Sequence, residues 1–89
     1  MKITIEISMY PLDADYKPAI KAFVRQLREH GQLETVTNQM STQVRGEFDA
    51  VMSAVNASMK QAMADNDKVV FVTKCLNGDL EISRLPQID

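Results

Sequence analysis

Near the start of the chain, Ile3, Ile5, Ile7 and Met9 alternate with Thr4, Glu6, Ser8 and Tyr10. A period of two means a strand with one apolar and one polar face. Such a strand belongs to a sheet whose odd-numbered face meets helices. Its even-numbered face is open, wet, or reserved for a ligand or partner. Pro11 lacks a backbone donor and ends the strand.

The rest of the chain supplies the covering layer. Asp13-Ala14-Asp15 offers an N-cap, best provided by Asp15. Pro18 falls in the first helical turn, where a missing amide is harmless. Ile20, Phe23, Val24 and Leu27 keep helical spacing, and Gly31 supplies a left-handed stop after His30. The helix predicted is about 16–30. A polar stretch follows, dense in hydroxyls and amides. Its two Thr- and Val-rich arms, 33–38 and 42–47, read as a hairpin turning near Gln39-Met40-Ser41. Gly46 allows close backbone approach at the end of the second arm. Phe48, Val51, Met52, Val55, Met59 and Met63, with Ala62 alongside, then give a second amphipathic helix over 48–64, with Asp49 favourably placed in its first turn. Residues 68–75 form the last strong strand, in which Cys75 reads as a small buried hydrophobe. Asn77-Gly78 is a type I′ turn signal. Leu80, Ile82 and Arg84 therefore either return as a short strand or belong to a loose tail.

Strand, helix, strand, strand, helix, strand is the split βαβ order. It predicts an α+β fold, a ferredoxin-like βαββαβ sandwich with a four-stranded antiparallel sheet and two helices on one face. The first and third strands should be central. The core should combine the helix stripes with Ile3, Ile5, Ile7, Val70 and Val72. One domain over residues 1–89 is expected, with its core at 2–76 and a tail at 77–89.

Composition narrows the function classes. A domain of 89 residues buries only about 60–65% of the surface its unfolded chain exposes, so oligomerisation is a cheap source of stability. The 12 acidic and 10 basic residues leave a net charge of −2, which argues against a nucleic-acid partner. Tyr10 and Phe71 are the only strand aromatics, too few for a base-stacking sheet. A single cysteine rules out an internal disulfide and a cysteine-rich zinc site, and a cytoplasmic location is expected. No apolar run reaches membrane-spanning length, and Met1-Lys2 leads straight into a strand pattern without a signal-peptide character. No metal-ligand spacing or phosphate loop is present. No motif gives His30 a partner for catalysis. Catalytic residues, metal ligands and cofactors are therefore all expected to be absent.

Two motifs add a resemblance. The run Ile7-Ser8-Met9-Tyr10-Pro11-Leu12 and the run Met40-Ser41-Thr42-Gln43-Val44-Arg45-Gly46, followed by Asp49-Ala50-Val51-Met52, resemble the thiamine-binding, YkoF-like family. That resemblance spans about Ile3 to Cys75. It implies a ferredoxin-like domain that binds thiamine or its hydroxymethylpyrimidine half without catalysis, and that associates as a homodimer or homotetramer. Arg45 departs from the acidic residue found in a related branch, and the tail after Asn77 has no family counterpart.

Thiamine joins a hydrogen-bonding aminopyrimidine to a cationic thiazolium. Its site needs directed donors and acceptors, an apolar wall, and negative or π-electron character near the cation. On this reading Ser8, Thr37, Ser41 and Thr42 supply hydrogen bonds, Tyr10 a ring face, Met40 a polarizable wall, and Glu6 or Glu47 the charge. Each has a plainer role beside it. Ser41 and Thr42 also serve as turn residues bonding their own backbone, Tyr10 as a strand-edge cap, and Ser8 and Glu6 as residues that meet water or a partner subunit. A structural or protein-interaction module that self-associates through the open sheet face, without a ligand, is the alternative function.

Overall fold

The computed structural model describes residues 1–88. The elements run β1 (Lys2–Pro11), α1 (Lys17–Arg28), β2 (Glu34–Thr37), β3 (Thr42–Glu47), α2 (Phe48–Asp65) and β4 (Val69–Leu76). One antiparallel sheet holds all four strands in the order β2-β3-β1-β4. This is the ferredoxin-like α+β sandwich, with β1 and β3 central.

The period-two reading of β1 fixes which side is dry. Ile3, Ile5 and Ile7 are buried, as is Val44 of β3. The α1 stripe packs against them through Phe23, Val24 and Leu27. The α2 stripe differs from its sequence reading. Its buried residues are Val51, Ala54, Val55, Ser58 and Ala62, while Phe48 and Met63 are exposed. Small side chains at 54, 58 and 62 face inward and leave room for α1. The larger Met52 and Met59 pack at the margin of the core.

Register corrects the reading of β4. Met9 pairs with Phe71, Ser8 with Val72 and Tyr10 with Val70. Cross-strand partners share a face, so Phe71 joins Met9 on the helix side. Val70 and Val72 lie on the open side, about half exposed rather than in the core. Phe71 stacks at a tilt against Phe23, ring centroids 5.0 Å apart. Cys75 is exposed rather than buried.

Three terminator readings also change. No described residue has positive φ, so Gly31 makes no left-handed turn, α1 instead ending at Arg28 with Glu29 as its cap, and Asn77-Gly78 is not a type I′ hairpin. Asp15 does not cap α1: Tyr16 occupies that position without a side-chain cap, and Asp15 N–H donates to Asp13 Oδ1 at 2.9 Å. Among the described residues no returning strand forms after β4. Instead the chain doubles back across the open face of the sheet.

Gly46 matters for packing. A Cβ there would stand 2.8 Å from Leu33 Cδ2 and 3.4 Å from Val51 Cγ2. The missing side chain lets the loop before β2 close over the end of β3.

Candidate functional site

The β2–β3 turn is built by one side chain. Asn38 Oδ1 accepts from Met40 N–H at 2.9 Å and from Ser41 N–H at 3.0 Å, and Asn38 N–H donates to Ser41 O at 3.0 Å. An asparagine that mimics a backbone turn in this way needs no glycine. The turn therefore presents Met40 outward, 84% exposed. Asn38 did not stand out in the sequence, although an Asn opening a short polar connection is the available signal.

Beneath this turn lies a recess on the helix side of the sheet. Its floor and walls are Ile7, Met9, Ile20, Phe23 and Val24, and its rim is the run from Thr37 to Thr42. Thr37 and Thr42 face each other across the two strands, hydroxyl to hydroxyl at 3.1 Å. Thr42 is buried, whereas Thr37 is exposed. The recess measures about 70 Å³, well below the roughly 300–1,000 Å³ of pockets that enclose drug-sized ligands. A flat ring enters only if the 38–41 turn moves outward.

Sheet geometry adds a second feature. β1 outruns β3: their pairing ends at Ile7↔Thr42, while β1 continues to Pro11 against β4 alone. The edge of Ser8–Met9–Tyr10 that faces the turn thus has no strand partner. Such an edge offers backbone donors and acceptors to whatever lies beside it. The side chains of Ser8 and Tyr10 project to the open face of the sheet, not into the recess.

Ser41 joins the two sides. Its hydroxyl donates to Glu6 Oε2 at 2.9 Å, and Lys74 Nζ stands 3.3 Å from Glu6 Oε1. The Ser41 hydrogen bond first, then the Lys74 ammonium, hold the Glu6 carboxyl below its ordinary range. Glu6 is therefore a charged carboxylate at the rim of the notch where β3 begins.

The chain brings Thr37, Met40, Ser41 and Thr42 together around one recess, with Glu6, Ser8 and Tyr10 along the open side of the same sheet end. Glu47 is not among them. It sits at the far end of β3, five residues from Thr42 or roughly 17 Å at strand rise, where its carboxylate accepts from the Met1 ammonium at 3.1 Å. A larger hollow of about 320 Å³ lies between the 30–33 loop and Ala50 and Ser53 of α2. His30 and Gly31 line it, but none of the candidate ligand-binding residues does. Among the described residues, no cluster of three or more His, Cys, Asp or Glu is placed to hold a metal ion. No described helix is long and apolar enough to cross a membrane.

Fold and site together define a ferredoxin-like sandwich with a hydroxyl-rimmed recess at one sheet end. The model of the family described as "Thiamine-binding protein" matches residues 5–76, and the chain belongs to that family. Solved structures agree on the fold. A hypothetical protein from Methanocaldococcus jannascii superposes with a TM-score of 0.77 at 25% identity, covering 88% of this chain and 81% of that one. A Thermotoga maritima protein, provisionally assigned to thiamine biosynthesis or salvage, gives 0.75 at 18% identity, covering 97% and 90%. A Streptococcus pneumoniae protein gives 0.70 at 24% identity, covering 90% of each. No curated protein matches the chain.

Proposed function

We propose that the chain binds thiamine or its hydroxymethylpyrimidine precursor without chemical turnover, as a cytoplasmic homodimer or homotetramer. The observation that carries this reading is the Thr37–Thr42 hydroxyl pair over an apolar recess, beside the unpaired edge of Ser8–Met9–Tyr10. Membership of a family named for thiamine binding, and the salvage assignment of the Thermotoga maritima neighbour, support it.

In this arrangement the aminopyrimidine slides in off the end of β3. Its ring nitrogens and amino group meet Thr37, Thr42 and the β1 edge, and Phe23, Met9 and a displaced Met40 close over its faces. Opening the turn breaks the Ser41–Glu6 hydrogen bond. Glu6 is then free to face the thiazolium, with Tyr10 and Ser8 beside it on the same sheet face. Exchanging a neutral hydroxyl contact for a cation contact at a charged carboxylate favours the ligand. Glu47 has no part in this site. Nothing in the arrangement pairs a nucleophile with a base, which suits a carrier or sensor better than an enzyme.

Isothermal titration with thiamine and with hydroxymethylpyrimidine tests the proposal. One site per chain is expected, and absence of heat at millimolar ligand would end it.

The exposed Val70, Val72 and Tyr10, neighbours on the open sheet face, favour a second reading, self-association with no ligand. Thermal shift separates the two. A ligand at a hundredfold excess over its Kd adds about 2.7 kcal/mol to the folded state, whereas an interaction module does not respond to thiamine.

A further inference from the structure

After Leu76 the chain turns back over the open sheet face, outside the stretch that matches the family. Two residues hold it there. Thr4 of β1 is only 7% exposed, and its hydroxyl is used in both directions. It donates to Gly78 O at 2.8 Å and accepts from Leu80 N–H at 3.1 Å. Its cross-strand partner Arg45 forms the other anchor. The guanidinium lies 2.7 Å from Glu34 of β2, 3.6 Å from Asp79 and 3.8 Å from Glu81, and donates to the Leu80 carbonyl. Lys2 adds a weak contact to Asp79 at 4.0 Å. Under the segment is a cavity of about 300 Å³, with Leu80 and Ile82 above and Glu6, Gln43, Lys74 and Leu76 on the sheet below.

We propose that residues 77–82 are a strap, latched by Arg45, that opens as a unit and controls access to this cavity on the open sheet face. The attachment is lopsided in a way that suits a latch. It has one buried hydroxyl and a cluster of partly exposed ion pairs, but no strand ladder and little buried apolar surface, since Leu80 stays 52% exposed. Segments held in this way open well below the cost of global unfolding. Ion pairs at the surface weaken as salt rises. Among the described residues Arg45 is also the one cation that touches both sides: it ties β2 through Glu34 and the strap through Asp79 and Glu81. Losing it releases the strap without removing a core side chain. The anchors of the latch, Thr4 and Arg45, lie away from the recess beneath the 38–41 turn, and Glu6 is the residue the covered cavity shares with the proposed thiamine site.

Native-state amide exchange on the full-length chain tests this at the Leu80 N–H, which reports the Thr4 anchor directly. In low salt that amide should be protected, but less than the amides of β1 and β3. Arg45→Met, or 1 M sodium chloride on the wild type, should lower its protection by about tenfold while the β1 and β3 amides keep theirs. Thr4→Val should abolish it. Three outcomes overturn the proposal: an unprotected Leu80 amide in the wild type, protection indifferent to both Arg45→Met and salt, or Leu80 exchange that follows the β1 and β3 amides step for step.

Discussion

Replacing Thr42 by valine should separate binding from stability. Thr42 is 4% exposed, and among the described residues its hydroxyl has one partner, the Thr37 hydroxyl at 3.1 Å. A net intramolecular hydrogen bond contributes about 0.5–1.5 kcal/mol. Burying a methyl in place of a hydroxyl offsets part of that loss, and Thr37, being exposed, regains water. The apo protein should therefore lose no more than about 1 kcal/mol, equivalent to a Tm decrease of up to about 4–8 °C for a domain of this size. A bound aminopyrimidine has no such relief. Its polar edge would be left without a partner in an apolar recess, which costs about 1–3 kcal/mol, or roughly 5- to 150-fold in Kd. Urea melts of the apo protein and calorimetry with hydroxymethylpyrimidine read the two quantities apart. The Thr37→Val variant and the double variant complete a cycle. If Thr42→Val costs well over 2 kcal/mol of stability yet leaves affinity untouched, the hydroxyl pair is a structural clasp, and the reasoning that places a ligand there fails.

Other expectations follow from the same geometry. Ser58 is fully buried in α2, and its hydroxyl has no partner among the described residues. Ser58→Ala should therefore be neutral or stabilising by up to about 1 kcal/mol in chemical denaturation. Gly46→Ala forces the Leu33 side chain to move, because the new methyl would stand 2.8 Å from it. Crowding of that kind should cost about 1 kcal/mol, at the low end for overpacking, since the obstructing atom is a mobile side-chain tip. Glu6 has a lowered folded pKa, from Ser41 first and Lys74 second. Its contribution to stability is thus complete above the unfolded value of 4.5 and is lost as pH falls through the lowered folded value. The stability gap between wild type and Glu6→Gln should accordingly close on acidification below pH 4.5, as read by melts across a pH series.

Much of the fold was legible because β1 states its two faces so clearly. Ile3, Ile5 and Ile7 can only face a helical layer, and the hydrophobic spacing of α1 names the residues that meet them. β4 was not legible in the same way. Val69, Val70, Phe71 and Val72 are apolar in succession, so periodicity cannot choose between the faces. Only the register Met9↔Phe71 makes the choice. The strap escaped detection for a related reason. Asn-Gly is a strong local signal for a hairpin, but Thr4 and Arg45 offer the following residues tertiary partners more than 30 positions away in sequence. Of the site, the hydroxyls at 37, 41 and 42 declared themselves by their density. The Ser41–Glu6 contact spans 35 residues, and Glu47 could be placed at the other end of β3 only once the strand had a direction. The unpaired edge at Ser8–Met9–Tyr10 arises from unequal strand lengths, which no side chain announces.

The recess beneath the 38–41 turn is most directly tested by a ¹⁵N-resolved NMR titration of the full-length chain with thiamine. Saturable shifts should centre on the amides of residues 38–42, 8–10 and 20–24, with the Met40 amide among those that move as the turn opens. Shifts confined to the 30–33 loop or to residues 77–82, or none at all at millimolar thiamine, would contradict the account.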